Sequence, residues 1–366
     1  MADLAAAFGP EDLRAAVAAG LLTEAQAASV AALAHDRAGK RAAMPAEDEP
    51  FEFFRGFSEI FVSVGVMILL AGIATTLAIF GGFAVLVVLP LVTAAIAWWW
   101  AGYFTLKRRM NLPSMVLASA FGGGLFLAVF TMLGHSDGVL RFSVVTSFVI
   151  AAVGMGLWYR RFRLPFAMFV LGLFALGAIY TLTASVDSLG GFVAGDRRGI
   201  DGLFDLRESP AFALATLGFG VAAFVAAMWF DLQDRYRLGR YAATAFWLHL
   251  LAAPALVNTV ALTLYNVGGG TGIAALSVAL ALIEALALVI DRRSFLTAAI
   301  GYIAILIAWI VRGEDGDFSS WTFVLILLGA VITALGTWWV PLRAALMHAL
   351  PDFPGKTRLP PYAETA

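Results

Sequence analysis

Residues 60–80 read IFVSVGVMILLAGIATTLAIF, a run with no charge and no proline. About 20 apolar residues carry a helix across the hydrocarbon core of a bilayer. In lipid such a segment must satisfy its own backbone, which a lone segment does only as a helix. Nine more segments of this kind follow, at 83–104, 112–134, 142–159, 164–183, 211–230, 242–264, 271–290, 295–311 and 321–340. The sequence therefore predicts an all-α fold: a polytopic transmembrane helical bundle of about ten spans filling residues 60–340.

Composition agrees. The 366 residues are 61% hydrophobic and only 13% charged, with a mean hydropathy of +0.88. A soluble domain carries about a quarter charged residues, so the surface here is built to face lipid. A net charge of −1 offers no basic stripe for nucleic acid. Cysteine is absent, which excludes disulfides, thiol nucleophiles and cysteine metal sites. Arginine outnumbers lysine 21 to 3, the bias of a GC-rich bacterial genome. The first 50 residues are polar and acidic, unlike a cleavable signal peptide, and the expected location is a bacterial inner (plasma) membrane.

The positive charges orient the spans. Lys107, Arg108, Arg109, Arg160, Arg161, Arg163, Arg235, Arg237, Arg240, Arg292 and Arg293 follow the second, fourth, sixth and eighth segments, eleven in all. The opposite loops hold five: Arg141, Arg197, Arg198, Arg207 and Arg312. The positive-inside rule then places both termini in the cytoplasm. Trp98, Trp99, Trp100, Trp158, Trp229, Trp338 and Trp339 fall at the same edge, where amphipathic rings favour the headgroup level.

The flanks are distinct. Residues 1–42 read as a cytoplasmic helical hairpin, with Gly20 as a helix stop and Thr23 with Gln26 as a capping-box pair. So small a unit has little core of its own; its expected role is to bind a protein partner or to self-associate. Residues 43–59 form an acidic linker ending in interfacial phenylalanines. Residues 341–366 read as a cytoplasmic interfacial helix and tail.

Segments two to five and six to nine resemble each other. Each block closes its first span with an aromatic–basic run, WWWAGYFTLKRR (98–109) and MWFDLQDRYRLGR (228–240). Each closes its third with a basic turn, WYRRFRLPFAMF (158–169) and VIDRRSFLTAAI (289–300). Matching the arginines gives offsets of 131 and 132 residues. The expectation is a tandem four-helix repeat with a pseudo-axis along the membrane normal. Gly122, Gly123 and Gly124 interrupt the third segment, as either a close-packing seam or an unwound cavity lining.

Inside the spans, Glu284 is the one carboxylate and His249 the one imidazole. Intramembrane ionisable groups are costly and usually face the protein interior. His249 sits roughly 12 Å and Glu284 roughly 10 Å from the cytoplasmic ends of their segments, with Tyr302 near the same level. The candidate intramembrane polar site is therefore Glu284, His249 and Tyr302. Such a Glu–His pair carries a proton or binds a cation, or it is a hydrogen-bonded clasp that fixes helix register.

LRAAVAAGLLTEAQAASVAAL (13–33), then FVSVGVMILLAGIATTLAIFGG (61–82), resembles a bacterial family of multi-pass membrane proteins of unknown function. The ending WWVPLRAALMHALP (338–351) with its later LPP is similar too. The Asn–Trp that often follows the first span in that family is replaced by Phe80-Gly81-Gly82. The resemblance implies no activity and transfers no functional residue.

No catalytic residues, cofactor or metal site is expected. Paired intramembrane Asp, G-x-S-x-G, a P-loop and G-x-G-x-x-G are all missing from the sequence, and the four histidines are scattered. An enzyme is not expected, although a glycolipid or phospholipid enzyme using acidic loop residues fits the same text. Two functions follow. One is a small-solute transporter or permease with Glu284 as its proton-coupling carboxylate; the other is a non-transporting scaffold or sensor whose hairpin binds a partner. The expected partners are the lipid bilayer, a small solute or proton, and a protein or second copy at residues 1–42.

Overall fold

A computed structural model of the chain describes residues 56–80, 85–133, 139–185, 202–234, 237, 240–296, 299–300, 302–304, 318–360 and 362, with isolated positions between 16 and 33. Among the described residues there is no strand, and nine helices are long and apolar enough to cross a membrane. The chain is an all-α, multi-pass membrane protein. The helices are α1 (Phe57–Phe80), α2 (Val85–Ala101), α3 (Asn111–Leu133), α4 (Leu140–Phe162), α5 (Phe166–Thr183), α6 (Pro210–Asp231), α7 (Arg240–Val267), α8 (Gly269–Ile290) and α9 (Phe318–Ala349). Most of the expected segment 295–311 lies outside the described residues, as do the linker at 43–55 and the middle of the acidic loop at 186–201.

Sequential helices pack as neighbours: α2 on α3, α3 on α4, α4 on α5, then α6 on α7 and α7 on α8. α5 joins the two groups by packing on both α6 and α7, α1 lies against α3, and α9 against α8. Small residues make these approaches possible, since lipid tails give apolar side chains no reason to leave them. Ala97, Ala101, Ala118, Ala151, Ala167 and Ala252 are wholly buried, while Leu69, Leu282 and Leu325 stand out from the bundle. α3 is continuous through its three glycines. A Cβ on Gly124 would lie 2.6 Å from the Pro90 carbonyl oxygen of α2, and one on Gly122 would lie 2.6 Å from the Phe174 ring of α5. Gly123 faces open space. The glycines are a packing seam.

Two prolines show how freed carbonyls are managed. Pro90 inside α2 cannot bond the Leu86 carbonyl, and the Thr131 hydroxyl of α3 reaches that oxygen at 3.1 Å. In α9 the helical angles break at Trp338 (φ −101°, ψ 16°), three residues before Pro341. The helix continues past residue 340 to Ala349 through that kink.

The two groups share a backbone pattern. Among the described residues, four that are not glycine adopt positive φ: Arg109 (54°), Arg163 (55°), Arg237 (56°) and Asp291 (58°). From 109 to 163 and from 237 to 291 the separation is 54 residues, and each pair maps onto the other by a shift of 128. The same shift carries α3 onto α7 and α4 onto α8 within a residue at their starts. The backbone register is thus 128, rather than the 131 or 132 given by matching arginines. Arginines follow the membrane edge, and the connectors differ in how they reach it. In the first group α2 runs on through a π-helical turn, Gly102–Lys107.

The tryptophan collar also divides. Trp99, Trp229 and Trp338 are exposed as an interfacial belt requires. Trp158 is instead wholly buried, in an aromatic cluster with Trp98, Phe121 and Phe162. Trp339 also turns inward. In the N-terminal region, Thr23 N–H donates to Gln26 Oε1 at 3.0 Å and Gln26 N–H to Thr23 Oγ1 at 3.3 Å, the reciprocal bonds of a capping box.

Candidate functional site

Asp231, the last residue of α6, receives His249 from α7 and Arg292 from just beyond α8. His249 Nε2 lies 2.8 Å from Asp231 Oδ2, and Arg292 Nε donates to the same oxygen at 3.1 Å. Arg292 Nη2 pairs with Asp231 Oδ1, which makes the contact a two-pronged fork, and also donates to the Ala242 carbonyl at 3.1 Å. His249 and Arg292 are wholly buried. The His249 ring is edged by Phe224 and Phe295. A carboxylate already ionised by a guanidinium accepts from His249, so the proton of that bond sits on Nε2.

A second carboxylate adjoins it. Asp291 Oδ2 lies 3.0 Å from Arg237 Nη1, and the Asp291 backbone carbonyl accepts from Arg237 Nη2. Trp339 Nε1–H donates to Asp291 Oδ1 at 2.7 Å. Arg343 approaches Oδ1 at 3.6 Å and donates to the Leu288 and Pro360 carbonyls at 3.0 and 2.7 Å. Between them, Asp231 and Asp291 tie together α6, α7, α8, α9 and the segment near Pro360. Burying such charges gains stability only when every partner is in place. Here they are ordered as forks and shared acceptors.

The expected Glu284–His249 meeting is not what the helices form: the carboxylate at His249 is Asp231. From Arg240 to His249 the helix rises roughly 13 Å, so α7 extends about two turns beyond the end of α6 and lifts His249 to the level of Asp231. Glu284 precedes Asp291 by seven residues and therefore lies roughly 10 Å farther along α8 than the ionic layer. It is half-buried and makes no hydrogen bond or ion pair among the described residues. Tyr302 packs on the apolar cluster of Val257, Leu276 and Ala299.

Sequence reasoning passed over Asp231, Asp291 and Arg343. A signal is present: both aspartates stand one residue beyond the expected ends of segments six and eight, beside the arginines that orient the spans. Among the described residues no group of three metal-ligating side chains forms.

A different kind of site lies at the same end of the bundle in the first group. A cavity of about 490 Å³ is lined by Thr105, Asn111 and Ser114 and by Arg109, Arg163 and Arg240. Above it, Glu59 of α1 accepts the backbone N–H groups of Asn111 and Leu112 at 3.0 and 3.1 Å, capping α3 from another helix. No known protein family, curated protein or solved structure matches the chain. Its chemistry therefore rests on these geometries.

Proposed function

We propose that this chain is a small-solute permease of a bacterial inner membrane, coupled to protons through Glu284. The observation that carries this reading is a half-buried carboxylate partway along a membrane helix with no partner among the described residues. A structural carboxylate in such a bundle is held as Asp231 is held; Glu284 is not. Placing an ionisable group in the bilayer is costly, and a site that gains and loses a proton gives a reason for the cost. His249 belongs to the ionic clamp in this account and Tyr302 to the apolar cluster of Val257, Leu276 and Ala299. The repeated register supports it: the shift of 128 carries α3 and α4 onto α7 and α8, and tandem repeats entering the membrane in the same sense are an architecture used by transporters. The arginine asymmetry supports placing the ionic layer and both termini on the cytoplasmic side.

The test is proton flux into liposomes holding the purified chain, read with an enclosed pH-sensitive dye. Flux by the unaltered chain that falls to the empty-liposome rate in Glu284→Gln supports the assignment. Equal rates in the two chains contradict it.

One observation favours a second reading, a scaffold or sensor acting through residues 1–42. Leu21, Val30 and Leu33 are exposed around the capped Thr23–Gln26 turn, an apolar face suited to a second copy or a partner. Deleting residues 1–42 would then reduce the assembled mass measured by light scattering while leaving flux unchanged.

A further inference from the structure

Helix-terminating residues with positive φ are normally glycines, because a Cβ costs of order 1 kcal/mol or more in that conformation. Among the described residues, the non-glycine positions of positive φ are arginine at three and aspartate at the fourth. In the second group the reason is visible: Arg237 and Asp291, equivalent to Arg109 and Arg163 by the shift of 128, neutralise each other at 3.0 Å. In the first group the aspartate position is occupied by Arg163. Arg109 and Arg163 both line the 490 Å³ cavity, joined by Arg240 from the start of α7. Three arginines, two from connectors and one from a helix start, thus line one space.

Nothing among the described residues answers them. Among the described residues no carboxylate lines the cavity, and the side chains of Arg109, Arg163 and Arg240 make no ion pair, hydrogen bond or ring contact. Glu59, close by, is engaged by the first turn of α3. The Thr105 hydroxyl donates to Ser114 Oγ, and that of Ser114 to the Met110 carbonyl. Arginine forks match the oxygens of phosphate in geometry and charge, and the cavity is large enough for such a group.

We propose that the cavity between Arg109, Arg163 and Arg240 is an anion site for a phosphate-class group, carried on a lipid headgroup or free, serving there as Asp291 serves Arg237. The site stands on its own geometry and does not depend on proton coupling at Glu284.

The test uses the full chain purified in detergent. Its thermal unfolding is followed against inorganic phosphate at constant ionic strength, and against short-chain phosphatidylglycerol, with short-chain phosphatidylcholine, whose phosphate is neutralised by its own choline, as the control for net negative charge. The expected result is a saturable upward shift with phosphatidylglycerol or with inorganic phosphate, and none with phosphatidylcholine. A shift with the lipid alone assigns the group to a headgroup; a shift with inorganic phosphate assigns a free anion. Two variants report on the site: Arg163→Asp, which recreates the pairing of the other group, and Arg163→Gly, which suits the backbone and cannot misfold for reasons of φ. Both should bind roughly tenfold or more weakly. The proposal is overturned if neither anion shifts unfolding beyond the phosphatidylcholine control, or if the folded Arg163→Gly chain responds like the unaltered one.

Discussion

Asp231 holds the His249 imidazole at 2.8 Å and the Arg292 guanidinium in a fork, in a layer where both basic groups are fully buried. Three elements distant in sequence are locked through one carboxylate. The layer has the partners of a closed clamp, whereas Glu284, farther along α8, has none among the described residues.

Removing the Asp231 charge should expose that dependence. Asp231→Asn leaves Arg292 buried beside a neutral amide, and breaking a buried pair from one side costs about 3–5 kcal/mol. Replacing Asp231 and Arg292 together by leucine should cost less than Asp231→Asn alone, because no buried charge is left uncompensated. Denaturant unfolding in detergent measures both. A double variant as unstable as the sum of its single changes would show that the pair contributes by packing rather than by charge.

The α2–α3 seam makes adjacent glycines behave differently. A methyl on Gly124 meets the Pro90 carbonyl at 2.6 Å, which only a backbone shift relieves, while a methyl on Gly123 meets nothing. Gly124→Ala should destabilise by about 1–3 kcal/mol, as overpacking does. Gly123→Ala should be neutral or slightly stabilising. Thermal unfolding of the two variants side by side settles the orientation of α3.

Glu59 caps a helix more than fifty residues away in sequence. Glu59→Ala leaves the Asn111 and Leu112 N–H groups without their acceptor and should cost about 1–2 kcal/mol. The loss should appear as faster amide hydrogen exchange confined to the first turn of α3. Unchanged exchange there would mean that the cap contributes nothing.

Much of the fold was legible because hydrocarbon imposes a simple rule on the chain. Span 112–134 became Asn111–Leu133, and span 271–290 became Gly269–Ile290. The site was less legible for a related reason. A hydropathy reading stops at the first charge, so it leaves Asp231 and Asp291 outside segments 211–230 and 271–290 although the helix neighbours reach past them and enclose them. Nor does a count of arginines distinguish Arg163, which lines a cavity, from Arg292, which is buried on a carboxylate. That difference lies in the connectors' backbone geometry, where positive φ at non-glycine residues leaves little trace in the sequence. Depth was the remaining error: Glu284 and His249 were counted from their own helix ends, and those ends are not level.

Water access at Glu284 tests the permease account most directly, and the absence of cysteine from the chain makes the measurement clean. In membranes, Glu284→Cys is treated with a small, charged thiol reagent alongside Leu282→Cys, whose position is exposed on the bundle's apolar surface. The account predicts labelling at position 284 and none at 282. A Glu284→Cys chain that stays as unreactive as Leu282→Cys would place that carboxylate out of reach of water and contradict its role in carrying protons.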